Sequence, residues 1–145
     1  MLNPSNNTRG GFTLIEVMIV VAIIALLAAI ALPNFQRARK RSQATAVLED
    51  LRLVDSAKGQ YAIENSVPVG VSLTCEQLAP YVKQGSRLYN VLRNSGSLAT
   101  FTDFLGTNLI AIGVVDTPPL ITTVTRDNFS DVIENPIAFW GSYAP

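Results

Sequence analysis

The stretch Gly10-Gly11-Phe12-Thr13-Leu14-Ile15-Glu16-Val17, continued by apolar residues to Leu32, decides how this chain folds. Residues 12–32 number 21; only Glu16 is charged and only Thr13 is otherwise polar. About 20 apolar residues in α-helix cross the ~30 Å hydrocarbon core of a bilayer. Lipid offers a backbone no hydrogen bonds, so such a segment is helical even when it is rich in Ile and Val.

Glu16 is the exception that needs a reason, because a carboxylate at the centre of a bilayer costs about 2.5–3.5 kcal/mol. Near a helix N-terminus the cost is smaller and the macrodipole favours a negative charge. A cut between Gly11 and Phe12 supplies a stronger reason. Phe12 then carries a free α-amino group, positive at neutral pH with a reference pKa of about 7.7–8.0. The amine and Glu16 are four residues apart on one helix face. They can pair within a subunit, or between subunits packed side by side.

Gly11, Phe12, Thr13, Leu14, Glu16, the apolar run and Pro33-Asn34 together closely resemble the class III signal and N-terminal helix of type IV pilins and type II secretion pseudopilins. Residues 10–35 carry nearly all of the match. The resemblance implies cleavage after Gly11 by a prepilin peptidase and N-methylation of Phe12. It implies a single-pass protein of the bacterial inner membrane, leader cytoplasmic and head periplasmic. It further implies self-assembly with related pilin-like subunits, through an inner-membrane assembly platform, into a periplasmic or cell-surface filament. Glu16 holds the place of the family's glutamate important for subunit addition.

Two rivals are weaker. Ala29-Ile30-Ala31 fits the cleavage pattern of a secretory signal peptide, but the apolar run exceeds a 7–15-residue signal core and contains a glutamate. A plain single-span anchor explains the length and leaves Gly11-Phe12 and Glu16 without a purpose.

Composition narrows the rest. At 145 residues there is room for one small domain beside the membrane segment. Eleven basic and eleven acidic side chains cancel, and losing Arg9 with the leader leaves ten against eleven. That balance argues against a general nucleic-acid binder. Cys75 is the one cysteine, so no intrachain disulfide can form, and there is no histidine to act as general base or metal ligand. With no histidine partner, Cys75 reads as a buried core residue. Asp103, Asp116, Asp127, Asp131 and Glu134 lack the spacing of an EF-hand and read as surface acids. No catalytic residue, metal or cofactor is expected.

Along the chain, residues 1–11 form a short polar leader. Pro33 lies inside the predicted helix, where it lacks an N–H and crowds the carbonyl of Ala29, so a kink or local loosening is expected. Beyond it the helix continues to about Ile63. Ala44, Val47, Leu48, Leu51, Val54, Ala57 and Tyr61 recur at three- and four-residue steps and mark one apolar stripe. A helix over 12–63 is about 78 Å long. Arg37, Arg39, Lys40 and Arg41 follow the membrane span and read first as a solvated helix face at the interface, with anionic lipid headgroups, acidic neighbours in a filament or DNA as alternative contacts. The positive-inside rule places such a cluster in the cytoplasm; the leader and Glu16 override it.

Residues 64–73 form a loop. Thr74-Cys75-Glu76-Gln77 fits a capping box and predicts a helix that Pro80 keeps short. Gly85 stops it, and Ser86 caps a second helix carrying Leu88, Val91 and Leu92, followed by a turn at 94–97. Residues 108–115 predict a strand, and Leu120 to Val124 a second on a sheet edge after Pro119. Thr125 caps a helix through Ile133, which Pro136 ends. The aromatic tail, Phe139, Trp140 and Tyr143, covers the stripe.

The fold class is therefore α+β and pilin-like: a leader (1–11), a transmembrane or filament-core helix (12–33), an amphipathic stem (34–63), and a small head (64–145) of short helices and one or two strands. The expected role is structural. A type II secretion pseudopilin is preferred, because the chain is short, has no disulfide loop and has a compact C-terminal region. A type IV pilin for adhesion, motility or DNA uptake comes next, and a membrane-anchored binding module third.

Overall fold

The computed structural model describes residues 11–102 and 109–145; residues 1–10 and 103–108, which include Asp103 and the first residue of the predicted 108–115 strand, lie outside them. The chain divides into two compact units, residues 1–38 and 39–145. The fold is α+β, with a long N-terminal helix and a head of short helices around a three-stranded antiparallel sheet.

Helix α1 (Leu14–Glu64) is 51 residues long and stays helical through Pro33. In the first unit the Asn34 side-chain amide donates to the Ile30 carbonyl at 3.3 Å. The large apolar residues from Phe12 to Phe35 are all exposed, Phe12 to 88%. An 18-residue window here has a mean hydropathy of 3.0, which is long and apolar enough to cross a membrane. Contiguous apolar surface on this scale needs lipid or another protein over it.

In the second unit, six of the seven stripe positions, Ala44 to Ala57, are buried. Tyr61 is half-buried and meets Tyr81 edge to face at 5.7 Å. Helix α2 (Cys75–Leu78) begins where expected: Gln77 Oε1 accepts from the Thr74 backbone N–H at 2.9 Å. Pro80 turns the next three residues, Ala79–Tyr81, into a 3-10 turn. Ser86 caps α3 (Arg87–Ser95), its hydroxyl accepting from the Tyr89 N–H at 3.1 Å. That helix runs into the predicted turn and stops at Gly96, whose φ is +56°.

Strands β1 (Thr100–Thr102), β2 (Leu109–Ala111) and β3 (Leu120–Ile121) pair in that order. The register stacks Phe101, Ile110 and Ile121 in one row, all buried. The sequence reading has no counterpart for β1. The predicted strand over 108–115 ends early, because Gly113 takes a left-handed φ of +75°. A Cβ there would stand 3.1 Å from Thr117 Oγ1. Past the break, Val114 bridges to Ser72 and the Val115 N–H donates to Val71 O at 2.9 Å, which pins the 64–73 loop.

Two further expectations are corrected. The second predicted strand gives way after Ile121 to α4 (Thr123–Asn128). Its cap is Thr122, which accepts from the Thr125 N–H, and Thr125 lies inside the helix. Pro136 opens a helix instead of closing one: α5 (Pro136–Trp140) has Pro136 in its first turn and Asn135 Oδ1 accepting from the Ala138 N–H at 3.1 Å. Proline suits that position, since its missing N–H has no partner there anyway.

The aromatic tail closes the core. Trp140 is 1% exposed and packs edge to face on Phe139 (4.8 Å) and at a tilt on Phe129 (6.1 Å). Its indole N–H has no hydrogen-bond partner among the described residues. Two ion pairs tie α1 to the head: Lys40 to Asp131 at 2.8 Å, and Arg87 to Asp50 at 3.7 Å.

Lys58 is the unexpected member of the core at 3% exposure. Its ammonium donates to Ile112 O at 2.8 Å and to Thr117 O, clasping the two sides of the Gly113 break. Burial holds its pKa below the ordinary lysine value, partly opposed by the nearby Asp55 carboxylate.

Trp140→Ala should destabilise the protein by about 3–5 kcal/mol in a urea melt. Trp140→Phe should cost much less, because it also removes the unpartnered N–H. A loss under about 0.5 kcal/mol for the Ala variant would place the ring at the surface. Lys58→Met leaves two carbonyls without their donor, so a loss of about 1–3 kcal/mol at neutral pH is expected. A depressed lysine pKa means that the unfolded chain binds more protons between the folded value and about 10.4. Wild type should therefore gain stability relative to Lys58→Met as pH rises through that window, the other titrating groups cancelling in the comparison. A flat difference would refute the buried charge.

Candidate functional site

The candidate site lies where α1 begins. Phe12 and Thr13 precede the helix, and Thr13 occupies the N-cap position with Glu16 at the third helical residue. Glu16 Oε2 accepts from the Thr13 backbone N–H at 2.8 Å and from the Thr13 hydroxyl at 2.7 Å. The Glu16 N–H returns to Thr13 Oγ1 at 3.4 Å. This reciprocal arrangement is a capping box, two residues satisfying each other at a helix end that otherwise leaves four N–H groups without partners. It also places the carboxylate where the macrodipole favours it.

The structure thus brings together Thr13 and Glu16, next to the Gly11-Phe12 bond. Thr13 has no role in the sequence reading beyond the family pattern. Its signal was present as Thr-x-x-Glu just before an apolar run. In the uncut chain the Phe12 nitrogen belongs to a peptide bond, so the ammonium partner considered for Glu16 arises only after cleavage. A Cβ added to Gly11 would meet nothing within 4 Å. Pro33 lies nearly five turns further along α1 and takes no part in this cluster.

Elsewhere the head offers little chemistry. Cys75 is buried, its thiol lies 3.6 Å from Thr100 O, and burial pushes its pKa up, away from the reactive thiolate. Among the described residues no three His, Cys, Asp or Glu side chains gather where they could hold a metal ion. Asp131 is paired with Lys40, and Asp127 with Arg126.

Comparison with known proteins bears on the same stretch. A family described as the prokaryotic N-terminal methylation motif matches residues 6–32. A type IV major alpha-pilin of Moraxella bovis is 48% identical over 63 residues, 43% of this chain and 40% of that protein. The type IV wide pilus major component PilA4 of Thermus thermophilus is 48% identical over 56 residues, 39% of this chain and 43% of its own length. A fimbrial protein of Neisseria meningitidis is 37% identical over 84 residues, 54% of this chain and 49% of that one. The chain thus spans less than half the length of these relatives. No solved structure matches it. Residues 6–32 fit the methylation motif and the relatives are pilins, so the chain carries the class III signal of the type IV pilin and pseudopilin family.

Proposed function

We propose that this chain is a structural subunit of a type IV pilus-like filament, cut after Gly11, N-methylated on Phe12 and polymerised through residues 12–33. The observation that carries the reading is a single carboxylate, Glu16, in an otherwise uncharged and exposed helix start, the fifth residue after the bond to be cut. Because the fold itself makes no demand for glycine at residue 11, a need for it is imposed by the peptidase that reads it. On this reading residues 1–11 stay cytoplasmic, 12–33 span the inner membrane, and the head, from the stem at 34–63 to residue 145, lies in the periplasm. Pro33 is then the weak point at which the helix can loosen during assembly.

Apolar helices gain little from association while surrounded by lipid. Pairing of Glu16 with the Phe12 ammonium of a neighbour fixes their register when lipid is left behind. Subunits of the same family, a prepilin peptidase and an inner-membrane platform are the partners this requires. Several relatives are named as major pilins, which supports a pilin of the type IV pilus over the secretion pseudopilin preferred from sequence. The pseudopilin is the second reading, favoured by the single cysteine, which closes no disulfide loop within these residues. A structural role, not catalysis, accords with the buried thiol of Cys75.

Mass spectrometry of membrane-extracted protein should give an N-terminus at Phe12 carrying one added methyl group. A mature chain beginning after Ala31 would establish a secretory signal instead. Glu16→Val should insert and be cut normally, yet yield at least about 100-fold fewer filaments, since an unpaired buried charge costs about 3–5 kcal/mol. Glu16→Asp keeps the charge with a shorter reach and should fall between. Normal filament yield from Glu16→Val would rule out the pairing and favour the tethered binding module.

A further inference from the structure

Between Glu16 and Glu49 the chain has no acidic residue, and the four cations in that interval fall within residues 37–41. In the unit 39–145, Arg39, Lys40 and Arg41 stand at successive 100° steps around α1, so the two arginines lie on opposite flanks of the lysine. Lys40 is committed: its ammonium donates to both Asp131 oxygens at 2.8 Å. Arg39 and Arg41 are exposed, and neither forms an ion pair among the described residues. One cation is drawn toward the head while two reach out on either side. Such an arrangement is a collar, not a face.

The shape selects the occupant. A duplex or a flat protein surface meets one flank of a helix, whereas lipid headgroups surround it. Spacing agrees. Arg39 and Arg41 follow Leu32, the last residue of the apolar run, by seven and nine residues, or about 11 and 14 Å of helical rise. The headgroup layer beyond the hydrocarbon is about 5–8 Å thick on each side. Helical side chains lean toward the N-terminus, so arginines rooted just past that layer reach back into it. The guanidinium fork takes phosphate oxygens in pairs.

We propose that Arg39 and Arg41 bind the phosphodiester headgroups of anionic phospholipids on the side of the membrane where the head emerges, holding the unassembled subunit at a fixed depth. This rests on residues 12–33 spanning a bilayer. It gives a use to a cation cluster on the translocated side, where the charge bias of membrane proteins disfavours one.

The test uses the full chain in nanodiscs of phosphatidylcholine alone and of phosphatidylcholine mixed with phosphatidylglycerol. Phenylglyoxal modification of each arginine is followed by mass spectrometry, with the exposed Arg93 on α3 as internal reference. Arg39 and Arg41 should react about fivefold more slowly in the anionic discs, the preference of one basic residue for such a surface. High salt should restore the rate, and Arg93 should not change. Arg39→Gln/Arg41→Gln, with its helical circular dichroism intact, should retain less phosphatidylglycerol per chain. Equal rates in the two discs would overturn the proposal. So would equal slowing by inorganic phosphate or by duplex DNA in neutral discs, which would mark a general anion site. A chain that fails to elute with discs would sink the membrane-span reading itself; unchanged rates in loaded discs sink this proposal alone.

Discussion

The backbone hydrogen bonds of α1 allow one segment to serve two surroundings. A helix satisfies its own N–H and C=O groups, so residues 12–32 can leave water without orphaning them. The same geometry gives the later part of α1 a different task. Where Ala44, Val47, Leu48, Leu51, Val54 and Ala57 recur, side chains line one stripe, and that stripe is a wall of the head's core. Each fully buried Val or Leu contributes about 1.5–3 kcal/mol. The head's own elements are short, α3 with nine residues being the longest among the described ones. Without the stripe they would have little to pack against, and small domains are already marginal in the area they bury.

A second consequence runs through Lys58. The run Asn108 to Val115 would make one straight strand, but Gly113 turns it. The Ile112 N–H still finds Ala99 O, at 2.9 Å, across the edge of β1. On either side of the turn, Ile112 O and Thr117 O need a donor, because carbonyls withdrawn from water without one are costly. Lys58 reaches both from the edge of the stripe. A long flexible stem ending in three donors suits that gap better than any backbone group nearby. The cost is a desolvated charge, visible in the depressed pKa, and Asp55 offsets part of it.

Legibility in the sequence followed the length of the pattern. The stripe repeats over four turns, so its residues stand out; Lys58, on its border, looks like any solvated lysine until the Gly113 turn is known. The caps at Thr74 and Ser86 read correctly because each precedes a clear apolar pattern. Thr122 and Thr125 are both hydroxyl residues three apart, and only packing decides which of them caps. Asn135-Pro136 carries a stop and a start in the same two residues, and both meanings are physically valid. A three-residue strand such as β1 carries too few alternations to register. At the functional end, Gly11, Phe12 and Glu16 are proposed from chemistry that makes sense only together, whereas the Thr13 cap on Glu16 was hidden by that residue's ordinary polarity.

Thr13 also gives order to the proposed assembly. Before cleavage the Phe12 nitrogen is uncharged, and Glu16 has Thr13 as its partner. A cap of this kind is worth about 0.5–2 kcal/mol, enough to lower the cost of carrying a carboxylate into a membrane. Cleavage creates an ammonium one residue before the cap. In a lipid-poor filament core, leaving that ammonium unpaired costs about 3–5 kcal/mol, so pairing outweighs the cap where the two compete for the same oxygens. An uncut subunit offers its neighbour no such cation. It can insert, because its own cap suffices for that, but it cannot neutralise the Glu16 beside it. On the proposed pairing, the peptidase cut is therefore what makes the subunit chemically able to be joined, beyond removing eleven residues that would obstruct packing.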